Sequence, residues 1–197
     1  MQPIILTIGH SNHALDHFLA LLEQHGVQVI VDARTQPYSK YSPQYDMEAL
    51  RDTLTARGIR YLYMGKELGG RPAGDEFYDA EGHVLYARVA ESEAFRQGLE
   101  RLEKGLGKFR TALLCGEENP AGCHRRLLVT RVLGERGVAV EHIRGDGRLQ
   151  AEAELAAEEA RRDDDGQLAL FEHAKIPEWK SIPSVSPKKR PSSSSTL

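Results

Sequence analysis

The sequence predicts a three-layer α/β domain, a mostly parallel five-stranded sheet with helices on both faces. Three observations carry this. Short apolar, often β-branched runs alternate with helical patterns four times, and a fifth run closes the series. Most of these runs lack a polar face, as strands covered on both sides do. Glycine or proline punctuates the junctions. Right-handed crossovers would bring every loop that follows a strand to one edge, where open α/β sheets bind ligands.

Residues 4–8 (IILTI) form the first run and lead into Gly9-His10-Ser11-Asn12, with candidate helix caps. Leu15, Phe18, Leu19 and Leu22 then lie on one helix face, and Gly26 ends it. Residues 27–31 (VQVIV) give the second strand, followed by Asp32-Ala33-Arg34-Thr35 and a loop over 36–43. Ser42-Pro43 reads as a cap with proline at the first helical position, before a helix carrying Met47, Leu50 and Leu54. Residues 59–64 alternate like a strand and run into the glycine-rich stretch 66–72. Residues 73–89 have no sustained period and read as an insertion, a short helix or irregular lid. Ser92 caps a helix bearing Phe95, Leu99, Leu102 and Leu106. A strand over 109–114, a loop, a helix over 123–135 ended by Gly137, and a strand over 138–143 complete the domain at about residue 146.

Beyond it the composition changes. Residues 147–166 form an acidic helical linker, 167–171 an isolated apolar knot, and 172–197 a Pro/Ser/Lys-rich tail expected to be disordered. The formal net charge of −3 announces no general nucleic-acid field, although a local basic patch is compatible with it. The N-terminal stretch does not read as a signal peptide, and no apolar run approaches membrane-spanning length. Two cysteines eight positions apart point to a reducing compartment rather than to a disulfide scaffold. A cytoplasmic protein without membrane contact is expected.

The chemistry concentrates in the loop 115–126 (CGEENPAGCHRR), between the fourth strand and its helix. It supplies Cys115, Glu117, Cys123, His124 and Arg125. The other strand-end loops supply His10 and Ser11; Asp32, Arg34 and Ser39; and the pair Gly69-Gly70. Arginines beside a helix N-terminus suit a phosphate or carboxylate, and paired glycines let backbone approach it. Three readings of the cysteines stand. Cys115 or Cys123 is a nucleophile with His124 or His10 as base, and Glu117 beside them. The cysteines and a histidine bind metal, but zinc sites usually space cysteines two to four apart, so neither metal nor other cofactor is expected. Or the thiols are small buried hydrophobes. Asp32 and Arg34 have a structural alternative as well, an ion pair that holds loops together.

The blocks Thr7–Ser11, Asp32–Arg34 with Pro37 and Ser39, Leu68-Gly69-Gly70, Cys115-Gly-Glu and Cys123-His-Arg resemble, in order and spacing, the bacterial family known as domain of unknown function 488. Ala33 stands where that family usually has a β-branched residue, and Lys40 where it usually has arginine. The resemblance covers about residues 4–146. It implies an α/β sandwich, a cytoplasmic protein and a shared polar pocket, and no settled reaction. A cysteine-bearing loop after a strand is also similar to rhodanese-type sulfurtransferases. The two acids and a proline in this loop suit a persulfide cradle poorly.

Gln167-Leu168-Ala169-Leu170-Phe171 resembles the pentapeptide by which bacterial DNA-metabolism proteins dock on the polymerase sliding clamp. Gln167 would bond at a pocket mouth, while Leu168, Leu170 and Phe171 would fill apolar subsites. The alternative is that these apolar residues fold back on the domain. Together these features suggest a clamp-tethered protein of DNA maintenance or repair. Its pocket would take an anion, a nucleotide or a DNA end. The alternatives are a cysteine-dependent enzyme on a small metabolite and a binding module without catalysis.

Overall fold

A computed structural model describes residues 2–165 and 178–185. Six strands form one sheet: β1 (Ile4–Gly9), β2 (Val29–Asp32), β3 (Arg60–Tyr63), β4 (Thr111–Cys115), β5 (Ala139–Ile143) and β6 (Leu149–Ala151), in the order β3-β2-β4-β1-β5-β6. All pairings are parallel except β5 with β6, which is antiparallel. The expected five strands are therefore present, and a sixth is added. β6 follows β5 by a short turn through Gly147, which has φ +88°. Three residues beside charged neighbours carry too little apolar pattern to announce a strand. Backbone bonds to an existing edge make it one.

The sheet is buried on both faces because its inner strands alternate between two cores. Leu6, Ile8, Ile30, Ala112 and Leu114 face one side with α1 (Leu15–Gln24) and α2 (Met47–Ala56). Ile5, Val29, Val31, Leu113 and Val140 face the other. There they meet α3 (Gly65–Leu68), α4 (Tyr86–Glu91), α5 (Glu93–Leu106) and α6 (Arg131–Glu135). α7 (Glu152–Asp165) follows β6 directly.

Local chemistry accounts for several boundaries. Ser92 accepts from the Phe95 amide at 3.3 Å and starts α5, as expected. Gly26 and Gly58 end α1 and α2 at positive φ. Elsewhere the outcome differs from expectation. Ser11 and Asn12 do not cap α1: Ala14 holds the N-cap without a side-chain bond, and Ser11 adopts φ +46° within the loop. Pro43 begins a one-turn 3₁₀ segment, Pro43–Tyr45, and α2 starts later. The glycine-rich stretch contains the single turn α3. The helix expected over 123–135 is split into a π-helical segment, Arg125–Thr130, and α6; such widened turns are frequent at functional sites. The insertion 73–89 holds a 3₁₀ turn, a bridge between Tyr78 and Val84, and the start of α4.

The domain also continues past residue 146. β6 pairs with β5, Leu155 is buried, and Arg126 bonds Glu152 and Glu159 of α7 at 2.8 and 2.7 Å. Within the tail whose composition predicts disorder, residues 178–185 lie against the domain. The Trp179 indole donates to Leu127 O at 2.6 Å, and Arg131 stacks on its ring at 4.3 Å. Val84 and Ser181 exchange backbone and hydroxyl bonds, and Lys180 pairs with Asp79 at 2.8 Å. One aromatic anchor with a backbone bridge outweighs the polar composition around it. The apolar knot 167–171 lies outside the described residues. Among the described residues, no helix is long and apolar enough to cross a membrane.

Candidate functional site

The carboxyl ends of β1, β2 and β4 open into a cleft of about 330 Å³. All four strand-end loops reach it. Of the residues expected there, His10, Arg34, Ser39, Gly70, Cys115, Glu117 and His124 line it. The first and fourth loops are zipped together by backbone bonds, His10 N–H to Cys115 O at 3.1 Å and Ser11 N–H to Gly116 O at 2.8 Å. Gly9 permits this approach, since a Cβ there would sit 1.7 Å from the Glu117 carbonyl oxygen.

Arg34 is held rigidly. Asp32, fully buried, accepts from its Nε at 2.9 Å and from Nη2 at 2.6 Å, and also from the Tyr61 hydroxyl at 2.6 Å. Burial opposes the Arg34 charge, yet the Asp32 carboxylate raises its pKa. Nη1 lies 3.2 Å from His10 Nε2, and His10 Nδ1 donates to Ser11 O at 2.8 Å. His10 is therefore a neutral acceptor toward Arg34, stacked on Tyr45 at 4.3 Å. Burial, and then Arg34, lower its pKa. The ion pair anticipated as the structural alternative for Asp32 and Arg34 is formed, and it presents the arginine at the cleft wall.

At the cleft floor Cys115, Glu117 and His124 cluster with the buried Cys123 just beneath them. The donor atoms of Cys115, Glu117, Cys123 and His124 all lie within 4.8 Å of one another. Cys115 Sγ and Cys123 Sγ lie 2.8 and 3.0 Å from the same Glu117 oxygen, Oε2. His124 Nδ1 lies 3.5 Å from Cys115 Sγ and 3.9 Å from Cys123 Sγ. Its other nitrogen, Nε2, lies 3.1 Å from Ala33 O. A carbonyl can only accept, so Nε2 carries the hydrogen and Nδ1 turns toward the sulfurs. A Cβ at Gly70 would meet this ring at 2.7 Å, which explains a glycine beside it. A hydrogen bond from the Cys123 thiol pulls the Cys115 pKa well down against its burial, helped by His124 and Arg125. Burial and the neighbouring Cys115 push the Cys123 thiol up. Burial works against a charged His124, but Cys115 and Glu117 outweigh it and raise its pKa.

Four of the expected ligand-binding residues stand behind the cleft rather than in it. Arg125 is fully buried, and its guanidinium donates to the Glu117 carbonyl, to Glu118 O at 2.6 Å and to Thr7 Oγ1 at 3.3 Å. It fastens the cysteine-bearing loop from below, because a buried cation in a loop rich in orphan carbonyls satisfies them first. Asp32 acts on Arg34. Gly69 packs against Gly65 O and Thr35, and the buried Cys123 lies under Glu117. Ser11 also does not line the cleft; its amide joins the loops. Glu118 pairs with Arg144 at 3.0 Å and takes no part in the floor. Thr35, Gln36, Arg71, Tyr86 and Ser181 line the cleft without having been singled out. Thr35 and Gln36 continue the Asp32–Arg34 block, and Arg71 follows the glycine pair, so position in the chain could have suggested them. Tyr86 and Ser181 arrive from the insertion and the tail and carry no local signal.

No curated protein and no solved structure matches the chain. A family model, described as domain of unknown function DUF488, matches residues 14–132, more than half of the sequence. The match includes the Asp32–Arg34, Gly69-Gly70 and Cys115–Arg125 blocks and starts after His10 and Ser11. The chain belongs to the DUF488 family.

Proposed function

We propose that the chain binds a small anion, a nucleotide or a phosphorylated DNA end, in this cleft, and that residues 167–171 tether it to the sliding clamp. The observation that carries the anion reading is Arg34. Asp32 fixes its plane, and each terminal nitrogen keeps one N–H without a partner among the described residues. A guanidinium already oriented loses little freedom on binding a phosphate or carboxylate. Arg71 adds a second cation at the rim, and the donor cluster lies beside both. Tethering would raise the local concentration on DNA, so the domain itself needs no strong DNA affinity.

Calorimetry with a nucleoside monophosphate and a 5′-phosphorylated oligonucleotide tests the cleft. Binding should weaken at least about tenfold in Arg71→Ala, the loss expected for one charge-assisted contact. No binding by the intact chain, or equal binding by the variant, removes this reading. Anisotropy of labelled clamp against the full chain tests the tether. Phe171→Ala should abolish the interaction, and unchanged affinity removes it.

A cysteine nucleophile is the second reading, favoured by His124 Nδ1 at 3.5 Å from Cys115 Sγ. In that case the imidazole accepts the thiol proton as the sulfur attacks. Mass spectrometry after brief treatment of the metal-stripped chain with iodoacetamide should find Cys115 alkylated before Cys123. Equal labelling of both, or none, eliminates it.

A further inference from the structure

We propose that Cys115, Cys123, His124 and Glu117 form a binding site for one zinc ion at the cleft floor. This deepens the reading of the cleft as an anion site and rests on it, adding a cation beside the arginines of that site. Four groups with lone pairs, two sulfurs, an imidazole nitrogen and a carboxylate oxygen, converge within 4.8 Å. As thiols the two cysteines can donate to Glu117; once deprotonated, two sulfurs and the carboxylate would hold three negative charges that one cation can share. Each member of this donor set, two thiolates, one imidazole and one carboxylate oxygen, is a ligand type that zinc accepts.

The distances support one shared ion. Sulfur and nitrogen ligands at ordinary zinc bond lengths in a tetrahedron lie about 3.5 Å apart. His124 Nδ1 stands 3.5 and 3.9 Å from the two sulfurs. The Glu117 oxygen is nearer to the sulfurs than that, at 2.8 and 3.0 Å. A tetrahedron at those bond lengths needs this side to open by about 0.6–0.8 Å. Glu117 is the exposed member of the four, so its side chain has room to move.

The surroundings are those of a metal centre. Metal-bound histidines usually donate their second N–H to a carbonyl or carboxylate, which fixes the tautomer. Here Ala33 O takes that hydrogen and leaves Nδ1 free toward the cluster. Arg125 holds the Glu117 and Glu118 carbonyls and reaches Cys123 Sγ at 3.5 Å, so the loop is braced from beneath. The eight-residue cysteine spacing, unusual for zinc, has a structural cause. Cys115 ends β4, and Cys123 and His124 stand just before the π-helical segment, so the ligands come from the two ends of one loop rather than from a knuckle.

The experiment uses the full chain. Plasma mass spectrometry after purification without chelator should find about one zinc per chain, and chelation followed by cobalt(II) addition should give an intense thiolate-to-cobalt charge-transfer absorption. Cys123→Ser should remove most of that band with the circular dichroism of the fold retained. If the variant does not fold, the cobalt spectrum of the unaltered chain still decides. Retention of no metal together with a cobalt spectrum lacking thiolate absorption overturns the proposal, as does a band unchanged in folded Cys123→Ser. Nucleotide binding without metal binding would defeat the zinc site alone. Metal binding without nucleotide binding would defeat the anion reading alone.

Discussion

Replacing Gly9 by alanine tests how the cysteine-bearing loop is held. The added Cβ would stand 1.7 Å from the Glu117 carbonyl oxygen, 2.4 Å from its carbon and 2.8 Å from the Glu118 Cα. All three are backbone atoms, so no side chain can swing aside. Real Cβ contacts do not fall below 3.0 Å, so the loop must withdraw by at least about 1.3 Å. Withdrawal stretches the two bonds that join the loops, His10 N–H to Cys115 O and Ser11 N–H to Gly116 O. Overpacking at about 1–3 kcal/mol, with partial loss of two bonds at about 1 kcal/mol each, gives a destabilisation of about 2–4 kcal/mol. That is large but within the stability of an ordinary domain, so the variant should fold. Urea unfolding of the full chain measures it. Gly105→Ala supplies the control, because Gly105 lies in α5 with nothing within 4 Å of its would-be Cβ. The same change there should stabilise by up to about 1 kcal/mol through helix propensity. If Gly9→Ala unfolds within about 0.5 kcal/mol of the unaltered chain, or the two variants shift alike, the steric account fails.

Three further outcomes are expected. Asp32→Asn leaves the Arg34 guanidinium buried without its counter-ion and should cost about 3 kcal/mol or more, read by denaturant unfolding; a loss under 1 kcal/mol would mean Arg34 relaxes into solvent. Trp179→Ala removes the indole bond to Leu127 O and the stacking of Arg131. It should speed hydrogen exchange at the Tyr86 amide, which donates to Trp179 O at 2.9 Å, while exchange in β1 stays unchanged. His142 is buried between Thr7 Oγ1 at 2.8 Å and Glu152 at 2.9 Å, and burial lowers its pKa. The unfolded chain therefore takes the proton first. The stability contributed by the neutral ring is complete above its ordinary value of 6.5 and is lost as pH falls from there toward the lowered folded value. Unfolding free energies should decline below that pH with a slope of up to about 1.4 kcal/mol per pH unit for this group, and His142→Gln should flatten the decline. An unaltered slope would assign it to other groups, His10 among them.

Much of the fold was legible because its signals are local. The runs at 4–8 and 27–31 are mostly apolar and mark strands covered on both faces, and residues 15–22 carry a helical stripe that marks the face buried in the core. β6 was not legible, nor the docking of 178–185. Each depends on a partner distant in sequence: β6 on the free edge of β5, and Trp179 on Leu127 and Tyr86. In the site, Cys115, His124 and Arg34 stood out as reactive types at strand ends. Arg125 stood out equally, and the sequence could not separate a cation that faces a ligand from one that braces a loop.

Composition and periodicity by themselves determined the layered α/β architecture, the edge at which four loops meet and the residue types they bring there. These follow from covalent spacing and from the burial of apolar surface, both written along the chain. Tertiary structure alone decided which nitrogen of His124 faces the thiols. It also decided that Asp32 clamps Arg34 rather than a ligand, and that two cysteines eight positions apart share one carboxylate oxygen. The physical reason is that hydrogen-bond direction and desolvation depend on which distant groups are brought alongside, and that is fixed only when the chain has closed on itself.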